Sequence, residues 1–240
     1  MKEDYHKWHS YYLNREFEML VFGHEGHPLV LFPASCARYY QAKDEGLISA
    51  VSHLIESGKI KIYCPDSVDS ESWYNYSIHP SDRVKNHNGY ECLIIKDVIE
   101  FAKHETGAEK VGVAGCGFGA YHALNIALRH PDMIDSIISL GGSFDIKRFI
   151  YGYYDDNCYF NSPLDYLPGL QDEWYIERIR SMNINFGIGE YDKHLWENKR
   201  ISGLLASKNI NHNFEVIEGR ERDWNLWRDL FSRYLERLFY

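Results

Sequence analysis

The chain has 240 residues, 45% of them hydrophobic and 25% charged, which fits one globular domain over residues 1–240. The formal net charge is −9 and no basic stripe is present, so nucleic acid is excluded as an expected partner, because phosphate binding needs clustered Lys and Arg. No apolar run approaches the roughly 20 residues that cross a bilayer, so we expect no membrane partner.

Short apolar runs alternate with helical segments along the chain. A strand hairpin is predicted over residues 5–22, with its turn near Asn14-Arg15. Further strands are predicted at 29–32, 59–64, 110–114, 136–140, 183–188 and 213–217, and helices at 48–55, 89–104, 120–130, between the last two strands and after Trp224. This alternation indicates an α/β fold, with a mostly parallel central sheet and helices on both faces.

Residues 144–180 interrupt the alternation and are rich in Tyr and Pro. We interpret them as a lid-like insertion over the strand ends, with a surface excursion as the alternative. Ligands bind at the carboxyl ends of the strands in sheets of this type. The site is therefore expected among the residues that follow the predicted strands.

The cysteine and histidine patterns contain no metal or redox motif. The five cysteines are widely spaced without a CxxC pair, which favours reduced thiols in a cytoplasmic protein. The polar N-terminus, residues 1–6, lacks the apolar core of a signal peptide. The twelve His form no HExxH or HxH pattern, and we expect neither a metal nor another cofactor.

A glycine-rich turn, residues 115–119, lies between the strand at 110–114 and the helix at 120–130. Strand, tight turn and helix are the context of the nucleophile elbow G-x-S-x-G, whose flanking positions must be small. Gly115 and Gly119 therefore place the nucleophile position at residue 117, which is Gly117. The amide of the next residue, Phe118, points at the developing oxyanion in such a turn.

Cys116 is the alternative nucleophile. For Cys116 to be central, Ala114 and Phe118 would have to be the small flanking residues, and Phe is too bulky for that position. We interpret Cys116 as a small buried thiol at the pocket rather than as a nucleophile.

The order of several short motifs resembles the esterase family of the α/β-hydrolase superfamily. The motifs are Phe32-Pro33-Ala34-Ser35, Asp66-Ser67-Val68-Asp69, Glu71-Ser72-Trp73-Tyr74-Asn75, the segment 115–122, Tyr159-Phe160-Asn161-Ser162-Pro163, Gly189-Glu190-Tyr191-Asp192 and Arg222-Asp223-Trp224-Asn225-Leu226-Trp227. They span nearly the whole chain. The resemblance implies the α/β-hydrolase fold and the hydrolysis of carboxylic esters.

The resemblance also assigns the family's catalytic positions. The nucleophilic Ser falls on Gly117, the acid on Asp192 and the catalytic His on Arg222, while the oxyanion amides fall on Phe118 and Ser35. Glycine offers no nucleophile, and arginine stays protonated and cannot act as a base. Two losses together favour a natural loss of the triad over a single engineered substitution.

Two roles are open for Arg222. One is a structural ion pair with Asp192. The other is an anion site, in which Arg222 and the oxyanion amides face a carboxylate or phosphate. Five aromatic residues that follow strand ends are predicted to line the pocket, with ordinary packing or surface positions as the alternative for some of them: Trp73, Tyr39, Tyr40, Tyr74 and Tyr76.

Three functions are compatible with these residues. The first is a non-catalytic esterase homologue that binds a small molecule or a protein partner. The second is a carboxylic ester hydrolase with weak or altered activity, using water or Cys116, and the third is a scaffold or homo-oligomer subunit without a ligand. The two losses favour the first or the third. His122 is predicted to be a packed helix residue, and neither His194 nor His212 is expected to replace the catalytic His.

Overall fold

Eight strands form one sheet in the computed structural model, which describes residues 1–239. They are β1 (Glu3–Ser10), β2 (Arg15–Phe22), β3 (His27–Phe32), β4 (Ile60–Pro65), β5 (Val111–Cys116), β6 (Ile134–Leu140), β7 (Asn183–Gly189) and β8 (Asn213–Ile217). Their order across the sheet is β1-β2-β4-β3-β5-β6-β7-β8. The β1–β2 and β2–β4 pairs are antiparallel and the other neighbours are parallel, which confirms the predicted mostly parallel sheet.

Helices connect the strands and cover both faces of the sheet. They are α1 (Gln41–Asp44), α2 (Leu47–Ala50), α3 (Ser52–Glu56), α4 (Pro80–Leu93), α5 (Glu100–Thr106), α6 (Phe118–Arg129), α7 (Asp156–Phe160), α8 (Pro163–Gly169), α9 (Glu173–Arg180), α10 (Leu195–Ser207) and α11 (Trp224–Phe239). A π-helical segment, Ile94–Ile99, joins α4 to α5, and a 3₁₀ turn spans Lys147–Phe149. Across residues 1–239, no helix combines the length and the apolar character needed to span a membrane.

Two predicted helices differ from the observed ones. The helix predicted at 48–55 is split between α2 and α3, because Val51 leaves the helical region with φ −118° and ψ 18°. The helix predicted at 89–104 begins at Pro80, where the His79 side chain accepts a hydrogen bond from the Ser81 amide. Residues 80–88 are mostly polar, so apolar periodicity could not reveal this start.

The sheet separates two apolar clusters. Along β3, Val30 and Phe32 face the cluster that contains α4 and α6, while Leu29 and Leu31 face the cluster that contains α11. This alternation follows from the two-residue side-chain period of a strand. Because both faces are covered, β3 is apolar at consecutive positions, as central parallel strands usually are.

The predicted lid-like insertion, residues 144–180, contains the 3₁₀ turn and α7 to α9. Helix α8 lies near α6, α7 and α10, α9 lies near α6, and α7 also lies near α4. Near the carboxyl ends of the strands, Arg148 and Phe149 border a cavity. The lid function stays a prediction.

The first turn of α6 approaches β3 too closely for a side chain. A Cβ atom on Gly119 would overlap the backbone carbonyl oxygens of Phe32 and Pro33. By contrast, a Cβ on Gly203, inside α10, would meet no heavy atom within 4 Å. These two glycines thus form a matched pair of helical positions.

We predict effects of opposite sign for alanine at these two positions. Gly119→Ala should lower the free energy of unfolding by about 1–3 kcal/mol through overpacking. Gly203→Ala should raise it by roughly 0.5–1 kcal/mol, because glycine is unfavourable inside a helix. Urea denaturation measures both values, and equal effects at the two positions would contradict the close approach of α6 to β3.

Candidate functional site

Gly117 alone joins β5 to α6, with φ +60° and ψ −114°. This backbone conformation is strained for residues with a side chain and accessible to glycine. The Gly117 amide donates a hydrogen bond of 2.8 Å to the Leu140 carbonyl, and its carbonyl accepts one of 3.1 Å from the Ser143 amide. These bonds tie the turn to the end of β6, and the predicted strand, turn and helix are confirmed.

Arg222 occupies the space that a side chain at residue 117 would fill. A Cβ built on Gly117 would overlap Nη2 of Arg222 and lie 3.1 Å from its Cζ. The guanidinium carbon also lies 5.2 Å from the centre of the Trp227 ring. Within residues 1–239 the guanidinium has no hydrogen bond or ion pair. The expected ion pair with Asp192 is therefore wrong, because the bare glycine leaves room for Arg222 to extend over the turn.

Asp192 follows β7, at the strand end where the acid was predicted. It is buried, and its Oδ1 accepts a hydrogen bond of 2.9 Å from the His194 amide. Its Oδ2 has no hydrogen-bond partner in the described chain, and it lies 3.0 Å from where a Cβ on Gly141 would be. This oxygen is thus held beside the end of β6 without a histidine to orient.

A cavity of about 310 Å³ opens beside Arg222 at the carboxyl ends of the strands. Its lining consists of Ser35, Tyr74, Tyr76, Ser143, Arg148, Phe149, Lys193, His194 and Arg222. Three of these side chains are cationic and none is a carboxylate. In a chain with a net charge of −9, the lining concentrates positive charge in one concave place.

A buried network positions the loop after β3, which carries Ser35. Asp69 Oδ2 accepts a hydrogen bond of 2.9 Å from the Cys36 amide, and its Oδ1 lies 2.8 Å from Nε2 of His122. The Tyr74 hydroxyl donates to Ser35 Oγ at 3.0 Å. Asp69 and His122 are both buried, which confirms His122 as a packed helix residue.

Phe118 is the first residue of α6, so its amide has no acceptor in the preceding helical turn. Its ring is buried, 4.7 Å from the Tyr121 ring and 5.3 Å from the Tyr74 ring between centroids. Phe118 thus follows the Gly117 turn directly, while Ser35 lines the adjacent cavity. Their role as oxyanion donors stays a prediction.

Trp73 and Tyr39 do not line the cavity, contrary to prediction. Trp73 is 0% exposed and belongs to the apolar core. Tyr39 lies on the other side of the loop, with its ring 5.8 Å from that of Tyr5. The segment after β4 turns Trp73 inward, while Tyr74 and Tyr76 line the cavity as predicted.

Cys116 is the last residue of β5 and is absent from the cavity lining. Its side chain belongs to the apolar cluster that includes α11. Burial raises the pKa of the Cys116 thiol, and the positive charge of Arg222 offsets this only in part. A buried, protonated thiol is a poor nucleophile, which agrees with the structural interpretation of Cys116.

The structure places His194 in the cavity lining, a position that sequence reasoning missed. Its Nδ1 lies 2.7 Å from Glu197 Oε1, while Glu197 Oε2 accepts hydrogen bonds from the Phe144 and Asp145 amides. Burial alone would raise the pKa of Glu197, but the hydrogen bonds from His194 and the two amides lower it below its ordinary value. The sequence signal was the spacing of three residues between His194 and Glu197 at the start of α10.

Several solved esterase structures superpose on the whole chain. A ferulic acid esterase has a TM-score of 0.76 and 17% identity, covering 97% of this chain and 95% of that chain. The S-formylglutathione hydrolase of Staphylococcus aureus has a TM-score of 0.71 and 13% identity, covering 100% and 99%. The ferulic acid esterase of Anaeromyces mucronatus has a TM-score of 0.71 and 14% identity, covering 98% and 89%. The chain has the α/β-hydrolase fold.

The matched structures include esterases and S-formylglutathione hydrolases, and at 13–17% identity the likeness shows the fold alone. Comparison of the sequence with protein-family models and with curated proteins gives no match. A shared fold does not establish a shared activity, which depends on the residues of the site. The function must therefore be argued from the cavity beside Gly117 and Arg222.

We predict coupling between residues 117 and 222. Gly117→Ala should lower the free energy of unfolding by about 1–3 kcal/mol, because alanine is strained at this φ and overlaps the guanidinium. In the Arg222→Ala background, Gly117→Ala should lower the free energy of unfolding by less, the difference being at least about 0.5 kcal/mol, because the overlap with the guanidinium is gone. A double-mutant cycle by urea denaturation measures the coupling, and strictly additive effects would show that Arg222 does not fill this space.

We predict a pH-dependent contribution from Glu197. The pKa of its carboxyl is lowered in the folded protein, so its contribution is present above the ordinary value of 4.5 and is lost as the pH falls through the folded pKa. Glu197→Gln should therefore destabilise the protein by about 1–3 kcal/mol at pH 7 and by less at pH 3. Denaturation at several pH values tests this, with Glu109→Gln on the surface as the control, and a pH-independent difference would refute it.

Proposed function

We propose that the protein is a catalytically inactive esterase homologue that binds a small molecule in the cavity beside Arg222. The observation that carries this proposal is the position of the Arg222 guanidinium, which lies where a nucleophilic side chain at residue 117 would extend. Acyl transfer through a covalent intermediate requires that side chain and a base beside it. Gly117 and Arg222 supply neither.

Cys116, Ser35 and Ser143 are the nearest alternatives to a nucleophile at residue 117, and none of them has the contacts of an activated nucleophile. Cys116 is buried, Ser35 accepts a hydrogen bond from Tyr74, and Ser143 accepts one of 2.7 Å from Arg148. A serine nucleophile is activated by a hydrogen bond to a general base. Neither Ser35 nor Ser143 has a side-chain hydrogen bond to a histidine or carboxylate in residues 1–239.

The elbow, the cavity and the buried carboxylate of Asp192 nevertheless remain. Oxyanion stabilisation and substrate binding can persist when the covalent machinery of a triad is lost. A concave site with several convergent polar groups is also the usual form of a small-molecule site. These features favour a retained binding role over a scaffold without a ligand, while a protein partner and homo-oligomer assembly stay predictions. The reduced cysteines support a cytoplasmic location.

A second candidate function is a weak hydrolase that uses water directly. The observation that favours it is the hydrogen bond between His194 and Glu197, since a carboxylate can orient a histidine that acts as a base. In that mechanism His194 would remove a proton from a water in the cavity.

An ester assay separates these functions. We predict that the purified protein hydrolyses p-nitrophenyl acetate no faster than buffer. Gly117→Ser combined with Arg222→His should gain turnover, and a further Asp192→Asn should remove it, because Asp192 would orient the new histidine.

Activity of the unmodified protein would contradict the proposal, and two variants would then show its source. Loss of that activity in His194→Ala would support the water mechanism, and loss in Cys116→Ala would identify the thiol as the nucleophile. Circular dichroism of each variant shows whether it is folded. The result for the unmodified protein does not depend on any variant.

A further inference from the structure

The three cations of the cavity lining have no anionic partner among the residues that the structure describes. Arg148 donates a hydrogen bond to the neutral hydroxyl of Ser143, and across residues 1–239 no carboxylate pairs with Arg148, Lys193 or Arg222. Some cations elsewhere are paired with carboxylates, as in the contact between Lys61 and Glu105 at 2.9 Å, and others bond to backbone carbonyls, as Arg83 does to that of Ile78. Like charges that face one cavity repel each other, so an anion from outside the chain would relieve the repulsion.

Neighbouring carboxylates do not neutralise these cations. Asp223 is not part of this lining; it borders a second pocket, which Arg222 also lines, and pairs with Arg220 at 3.2 Å. Asp192 is buried beside the end of β6 and is not part of the cavity lining. The cavity lining therefore presents cations without a facing carboxylate.

Hydrogen-bond donors complete the lining. The hydroxyls of Ser35 and Ser143 each accept one hydrogen bond, from Tyr74 and Arg148, and keep their own protons to donate. The start of α6, which has 12 residues, adjoins the cavity at Gly117, and the positive end of its dipole favours an anion there. Donors and cations together match a group that accepts several hydrogen bonds and carries negative charge.

The charge and size of the cavity narrow the ligand class. A carboxylate brings one negative charge, whereas a phosphate monoester brings about −1.5 to −2 at pH 7 and three acceptor oxygens. Three unpaired cations in the lining favour the phosphate monoester, because it carries more negative charge than a carboxylate. Tyr74, Tyr76 and Phe149 add aromatic surface for an organic substituent, and 310 Å³ lies at the small end of ligand sites.

We propose that the cavity binds a small organic phosphate monoester between Arg222, Arg148 and Lys193. The proposal rests on the proposed function, because it requires that Arg222 serves as an anion ligand where an active esterase would have a histidine. Binding needs no covalent step. Arg222 would supply a charge-assisted hydrogen bond from the position of the missing nucleophile.

Isothermal titration of the full chain with four probes tests this ligand class. We expect phenyl phosphate to bind most tightly, inorganic phosphate more weakly, benzoate about tenfold or more weaker than phenyl phosphate, and benzyl alcohol not at all. Benzoate that binds as tightly as phenyl phosphate would overturn the preference for a doubly charged group. If inorganic phosphate binds as tightly as phenyl phosphate, the claim that the organic substituent contributes to binding is overturned.

Matched variants test the site. Arg222→Gln and Lys193→Gln should each weaken phenyl phosphate binding about tenfold or more, while Lys199→Gln, an exposed position on α10 outside the lining, should leave it unchanged. Arg222→Gln should lower the free energy of unfolding only slightly, since the guanidinium loses its contact with the Trp227 ring but no hydrogen bond or ion pair within residues 1–239.

Failure of this proposal is distinguishable from failure of the proposed function. Absence of phosphate binding, or binding that Arg222→Gln leaves unchanged, overturns the ligand class even when the protein hydrolyses no ester. Ester turnover by the unmodified protein overturns the inactive-homologue proposal on which the ligand class rests.

Discussion

The close approach of α6 to β3 and β5 determines the geometry of the site. Side chains are excluded at Gly115 and Gly119, since a Cβ at either position would overlap backbone atoms. The chain must therefore reverse direction through one residue, Gly117, with a positive φ. In this conformation a side chain at residue 117 would point at Arg222, which lines the cavity. The size of residue 117 therefore determines how much space is left for residue 222.

Glycine at residue 117 and arginine at residue 222 are complementary in volume. Glycine relieves the backbone strain that the turn imposes on other residues, and the guanidinium fills the vacated volume while it lies against Trp227. A cation without a partner is unfavourable in a partly buried place. An anion bound as proposed would offset this cost, and functional sites often carry groups that lower stability.

Strong local constraints made part of this structure predictable from the sequence. The strands were found because their apolar runs are short and bounded by turn residues, and the elbow because Gly115 and Gly119 allow only one register. Asp192 was placed at its strand end by the motif that precedes it. In each case the constraint lies within a few residues of the position that it fixes.

Features that depend on packing between distant segments were not predictable. The direction of the Arg222 side chain depends on the empty space at Gly117, which local sequence does not show. Trp73 and Tyr74 both follow the end of β4 and both were expected at the pocket, but packing decides that Trp73 turns inward while Tyr74 lines the cavity. His194 was missed because its importance comes from its contact with Glu197 and from the cavity beside it.

The central claim is that the elbow holds no nucleophile because Arg222 occupies its place. Intact-protein mass spectrometry after incubation with a fluorophosphonate tests it most directly, since such reagents form a stable adduct with an activated serine. We predict an unchanged mass for the unmodified protein and one adduct for the chain with Gly117→Ser and Arg222→His. An adduct on the unmodified protein would contradict the account and would locate the nucleophile by peptide mapping.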